Sequence, residues 1–336
     1  MSTLQQFGND TSTAEIVDYS VSNWVTRTPP HTDNWFAIAW NGTVFAAISE
    51  GDSVGTRVMT SPDGITWTSR TSAADVKWSA VAWNGTVFAA VANNGTTSNQ
   101  IMTSPDGITW TSRTSPSSNG WEGIAWNGTV FAAVSSGGTD RVMTSPDGIT
   151  WTSRTSAAAN QWQAIAWNGT VFAAVAISGT GNRVMTSPDG ITWTSRTSAA
   201  DNRWYAIAWN GTVFAAVGAD GVGNNVMTSP DGITWTSRTS PADNNWRGIA
   251  WNGTVFAAVS ILGVGNNVMT SPDGITWTSR TSPANNYWRA IAWNGLGTGT
   301  TLLLPAAGTG TVFVAVAYTG TGNRVMTNLF YKRDAT

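Results

Sequence analysis

The chain has 336 residues, a net charge of −2 and only 11% charged residues. That balance supplies no basic surface for nucleic acid or an anionic membrane, and no apolar run approaches a membrane span. With no cysteine and one histidine, disulfides and thiolate metal sites are excluded, and the common Ser-His-Asp, Cys-His and His-rich metal constellations are not expected.

Residues 1–17 read as a polar N-terminal arm; residues 1–13 contain no apolar stretch, so a secretory signal of the usual kind is not expected. The next segment, Ser22-Asn23-Trp24-Val25-Thr26-Arg27-Thr28, aligns with Ile233-Thr234-Trp235-Thr236-Ser237-Arg238-Thr239 far downstream. It is therefore the last strand of a repeat unit displaced to the front of the chain.

From Trp35 onward the sequence repeats. Trp-Asn-Gly begins at Trp40, Trp83, Trp126, Trp167, Trp209, Trp251 and Trp293, spaced by 41 to 43 residues. A second set of tryptophans lies five positions earlier, at Trp35, Trp78, Trp121, Trp162, Trp204, Trp246 and Trp288. A third set, Trp67, Trp110, Trp151, Trp193, Trp235 and Trp277, is completed by the displaced Trp24. The three sets account for all 21 tryptophans.

A period near 42 residues is that of a four-stranded propeller blade. In the sixth copy the predicted strands are 246–251, 254–260, 267–270 and 275–281, each rich in Val, Ile, Thr, Phe or Trp and bounded by turn residues. Asn252-Gly253 reads as a two-residue hairpin with positive φ at both positions. Ser271-Pro272-Asp273-Gly274 reads as a second turn, with Pro presetting φ, Asp bonding its own backbone and Gly in the left-handed position. The second strands are nearly continuous apolar runs, as expected of blades covered on both faces.

The last copy has three strands over residues 288–327 and no Ser-Pro-Asp-Gly. Its first turn is enlarged to an insertion at 295–311 that contains Leu302, Leu303 and Leu304, and a tail follows at 331–336. The predicted fold is thus all-β: a seven-bladed β-propeller over residues 18–330, four antiparallel strands per blade, the last blade closed by the N-terminal strand. Closure of this kind removes the open edges that a linear array of sheets would leave.

Ser-Pro-Asp-Gly-Ile-Thr-Trp resembles the Asp-box of sialidase-type repeat propellers, with one residue fewer between Asp and Gly. The whole repeat is similar to Asp-box-like repeats of bacterial surface proteins and tailed-phage virion proteins, over residues 18–328. It lacks the Gly-His and Trp-Asp signatures of WD40 blades. The resemblance implies a propeller in which the Asp-box is a turn module remote from any active site. A sialidase site, by the same resemblance, would need three arginines converging from different blades and a tyrosine nucleophile assisted by an acid.

Neither is expected here. Arg27, Arg70, Arg113, Arg154, Arg196, Arg238 and Arg280 all occupy one outer-strand position, and they are expected to lie along tryptophan and bond to a neighbouring blade. The tyrosines follow no pairing pattern. Asp63, Asp106, Asp147, Asp189, Asp231 and Asp273 are read as turn residues, and His31 as a solvated loop residue. No catalytic residue, metal site or cofactor is expected.

Comparison of the copies separates two faces. The Asn-Gly-Thr and Ser-Pro-Asp-Gly turns repeat almost unchanged, whereas the loops at 50–55, 93–96, 135–138 and 261–264 and the residues beside the inner tryptophans vary. Candidate ligand-binding residues on the variable face are Trp35, Trp78, Trp121, Trp162, Trp204, Tyr205, Trp246, Arg247, Trp288 and Arg289. Core packing is the primary reading of the tryptophans, and sugar stacking is the second. Leu302, Leu303 and Leu304 are the candidate docking residues on the constant face.

The expected function is a non-catalytic structural or adhesive protein of a tailed-phage virion or a cell surface, cytoplasmic before assembly. It would contact other virion or surface proteins through the arm and the 295–311 loop. A multivalent glycan-binding lectin is the alternative, and a sialidase-like hydrolase the third reading.

Overall fold

The computed structural model describes residues 16–17, 24–51, 54–295, 312–320, 322–329 and 332–333. Leu302, Leu303 and Leu304, with most of the arm and tail, lie outside the described residues, and so does the docking role expected of them.

The chain forms seven four-stranded antiparallel sheets arranged as blades. In the first blade the strands are Trp35–Trp40, Phe45–Ser49, Val58–Ser61 and Thr68–Arg70. The first strand of each blade touches that of the next, and the seventh, Trp288–Trp293, meets Trp35–Trp40 to complete the circle. The missing fourth strand of the seventh blade is Trp24–Arg27. It pairs antiparallel with Val325–Leu329, Trp24 opposite Asn328 and Arg27 opposite Val325. A short separate sheet joins Ile16–Val17 to Lys332–Arg333, so the two chain ends also pair with each other.

The core lies between blades. One wedge combines Trp35, Ile38, Phe45, Met59 and Trp67 of the first blade with Val312, Val314, Val316 and Val325 of the seventh. Equivalent wedges occupy the other seams. Every residue of the second strands is buried, which explains their lack of polar alternation.

Two local expectations are corrected. Asn252-Gly253 is not a two-residue turn: the last strand pair is Trp251 with Phe256, so the loop has four residues. Only its glycine has positive φ (Gly253, +91°). The Asn252 carboxamide oxygen accepts from the Thr254 and Val255 amides, which lets the asparagine keep an ordinary backbone.

The fourth strand is also shorter than predicted, at Thr278–Arg280. The preceding Ile-Thr-Trp segment is folded into the turn. The Asp273 carboxylate accepts from the Ser271 hydroxyl and the Ile275 and Thr276 amides, and the Trp277 indole donates to the Gly274 carbonyl. Gly274 takes the left-handed position (φ +77°), and an added Cβ would lie 3.4 Å from Thr228 of the neighbouring blade.

Candidate functional site

The seven inner tryptophans, Trp35, Trp78, Trp121, Trp162, Trp204, Trp246 and Trp288, are completely buried. A ring with no exposed face cannot stack on a sugar, so the platform reading of these residues is corrected to core packing. Most of their indole N–H groups are satisfied locally, as where Trp162 donates to the Ala158 carbonyl at 3.1 Å.

The site is one residue further along. In every blade the ladder between the first and second strands slips by one residue immediately after the inner tryptophan. Trp35 faces Ser49 and Ala37 faces Ile48, leaving Phe36 as the extra, unpaired residue. A bulge of this kind re-aims a side chain. The seven bulged residues are Phe36, Ser79, Glu122, Gln163, Tyr205, Arg247 and Arg289, and all line one cavity of about 180 Å³ along the central channel. Of these, sequence reasoning named Tyr205, Arg247 and Arg289 as candidate binding residues, but not Phe36, Ser79, Glu122 or Gln163. The signal was present: six-residue strands such as WFAIAW, WEGIAW and WRAIAW vary chiefly at their second position.

The variable loops reach this mouth. Glu50 donates its amide to the Asn34 carbonyl, Ser136 to Gly120, and Tyr318 to Tyr287, each pairing the start of a variable loop with the start of a first strand.

Charge around the ring is uneven. The Arg247 guanidinium lies 3.4 Å from the centroid of the Tyr205 ring, and that of Arg289 lies 3.9 Å from the centroid of Phe36. Arginine on an aromatic face in a partly desolvated site is a favourable contact. The carboxylates are engaged elsewhere: Glu122 accepts from the Ser136 hydroxyl at 3.1 Å, and Glu50 from the Asn93 amide. Burial pushes the Glu122 carboxyl up to about 7, against the opposing pull of Arg289. Burial also lowers Arg247 to about 10, with the like charge of Arg289 adding to the effect. Among the described residues the ion pairs are Arg57–Asp75, Arg183–Asp201 and Arg203–Asp220; none includes Arg247 or Arg289, although Asp220 lies close enough to feel the Arg247 charge.

The remaining candidates are structural. Each outer-strand arginine bonds within its own blade, contrary to the expected inter-blade contact: Arg70 donates to Thr60 and Arg27 to Thr327, both at 2.9 Å. The third strand lies directly beside the fourth, so its threonine hydroxyl is the nearest acceptor. These arginines do not converge as a sialidase site requires. His31 is not a free loop residue; it bonds Ser69 at 3.2 Å and packs on Trp35 at 5.1 Å between ring centroids. No group of three or more His, Cys, Asp or Glu side chains suited to a metal occurs among the described residues.

The fold and site define a seven-bladed β-propeller with a chemically asymmetric channel mouth. No family model matches the sequence, and no curated protein is similar to it. Among solved structures, the chain resembles YCF48 from Cyanidioschyzon merolae, with a TM-score of 0.63 and 15% identity over 91% of this chain and 98% of that one. A YCF48 bound to D1 peptide is similar at 0.64 and 14%, covering 97% and 100%. A virginiamycin B lyase from Staphylococcus aureus is similar at 0.72 and 10%, covering 92% and 98%. At these identities the likeness is one of fold.

Proposed function

We propose that this protein is a non-catalytic binding module whose recognition surface is the channel mouth and the surrounding variable loops. The carrying observation is where the repeat departs from itself. Seven copies keep their core and ladder, and six keep both turns, yet at the bulged position the seven present Phe, Ser, Glu, Gln, Tyr, Arg and Arg. Variation concentrated in channel-lining side chains and the loops around them, on a rigid scaffold, is the arrangement of a binding surface.

The finer reading is an adhesive or structural role at the surface of a particle or cell, with virion display as one setting of it. Peptide capture is favoured over glycan capture, because the aromatic platforms of a lectin are buried here. A propeller of the same fold, YCF48, binds a peptide. The Asp-box carboxylates support the non-catalytic reading, since each is taken up by its own turn.

The test is a screen of the immobilised full chain against peptide and glycan arrays. Hits should be retested with a Phe36→Ala/Tyr205→Ala double variant and with Ile191→Ser on the constant face. Peptide hits lost only in the channel variant support the reading. Hits indifferent to the channel variant, or release of a chemically altered ligand, would overturn it.

A further inference from the structure

We propose that Arg247 and Arg289 form a receptor for one carboxylate group, carried by a ligand that enters the channel from the variable face. The inference rests on reading the mouth as a recognition surface and names the chemistry that it recognises.

Both arginines are bulged residues of adjacent blades and line the same cavity. Their planar faces are occupied, Arg247 by Tyr205 and Arg289 by Phe36. Stacking fixes the plane of a guanidinium but leaves its N–H edge free to bond. On Arg247 that edge is only partly used, by a bond to the Tyr205 side chain. The Arg247 Nε is buried without a hydrogen-bond partner, and no hydrogen bond or ion pair holds Arg289 among the described residues.

The nearby carboxylates do not fill the vacancy. Glu122 lines the same cavity, yet it bonds Ser136 and lies beyond ion-pair distance of both arginines. Glu50 is held by Asn93. Two stacked cations with unfilled donors therefore line a confined space, and Glu50, Glu122 and Asp220 act on them only from beyond ion-pair distance. Burial lowers the proton affinity of Arg247, and the like charge of Arg289 lowers it further. An anion between them would relieve that repulsion and make charge-assisted bonds with both.

Carboxylate fits better than phosphate for two reasons. It is planar and matches the guanidinium fork edge to edge. It also carries a single charge, whereas a phosphate dianion would meet Glu50 and Glu122, which act on the same cavity.

The experiment uses the full chain with isotope-labelled arginine, following the Nε–H resonances during titration. The probes are acetate, inorganic phosphate, and an N-acetylated alanine tetrapeptide with either a free C-terminus, its single charge, or an amidated and therefore uncharged one. Acetate and the free-acid peptide should shift the Arg247 and Arg289 resonances and leave Arg70 still. Arg289→Gln and Arg247→Gln should each weaken binding about tenfold or more, as expected for loss of a charge-assisted pair. Arg289→Lys should restore part of it, and circular dichroism checks that each variant is folded.

Acetate and the free-acid peptide binding alike would identify a small-acid site; tighter binding of the peptide would identify a chain-end site. Either supports the receptor. Equal binding of the amidated peptide, stronger binding of phosphate, or no shift at about 50 mM acetate would overturn it. In that case array hits still lost in the Phe36→Ala/Tyr205→Ala variant would leave the binding-module reading standing.

Discussion

Arg247 of the sixth blade rests on Tyr205 of the fifth, 3.4 Å from the ring centroid. The contact crosses the seam between two blades and lies one residue from the fully buried Trp204. Two consecutive side chains of one strand thus serve different ends, and substitution separates them. Trp204→Ala should lower unfolding stability by about 3–5 kcal/mol through cavity formation. Tyr205→Leu keeps most of the bulk and should cost no more than about 2 kcal/mol, while weakening capture of array ligands. Urea denaturation of both variants checks the contrast. Equal losses of stability would mean that Tyr205 is only a packing residue.

Glu122 sets a pH dependence through the neutral range. Burial raises its carboxyl from 4.5 to about 7, so the folded state holds a proton that the unfolded chain has released. Its contribution is fully present below pH 4.5 and is lost as pH rises through about 7. At about 1.4 kcal/mol per pH unit, the effect is at most about 3.5 kcal/mol. Glu122→Gln should flatten the stability curve between those pH values and raise the melting temperature at pH 8. An unchanged slope would place the titration on another group.

The turn aspartates act in the opposite direction. Asp189 is held below its ordinary 3.8, first by the Thr192 amide, against burial, and then by the Ile191 amide and the Ser187 hydroxyl. Its contribution is present above pH 3.8 and is lost as pH falls through the lower folded value. Asp189→Ala strips an acceptor from these three donors and should cost about 1–3 kcal/mol. The loss should be measured at pH 7 and should shrink at strongly acidic pH, where the native carboxylate is itself protonated.

Closure depends on a strand separated from its partner by about 300 residues of chain, as the Arg27–Thr327 bond illustrates. Deleting residues 1–30 should expose the outer edge of Val325–Leu329, lower the melting temperature and promote association through that edge. A melting temperature equal to that of the full chain would show that the ring closes without it.

The architecture was legible because it is periodic. Three tryptophans per unit, with Trp24 out of place, specified the blade count and the closing strand. Local backbone detail was less legible. Asn-Gly alone does not distinguish a two-residue turn from the four-residue loop that Asn252 caps with its side chain. Likewise, Ile275 and Trp277 have strand-forming side chains but are held in the turn by Asp273 and Gly274. The candidate site was half visible. Variation flagged Tyr205, Arg247 and Arg289, but alternation would turn the residue after a buried tryptophan away from the tryptophan's side by rule. Variation at the second strand position was there to be read, but only the bulge shows that Phe36, Ser79 and Gln163 belong to the same ring.

That bulge has a consequence for how such a protein can change. A residue without an opposite number in the ladder can be exchanged with little disturbance to strand pairing, and each blade offers one such residue. The mouth is therefore a set of seven interchangeable slots on a common chassis. Its specificity can be rewritten one slot at a time, by mutation in nature or by a combinatorial library at the bench, while folding is left to the rest of the repeat.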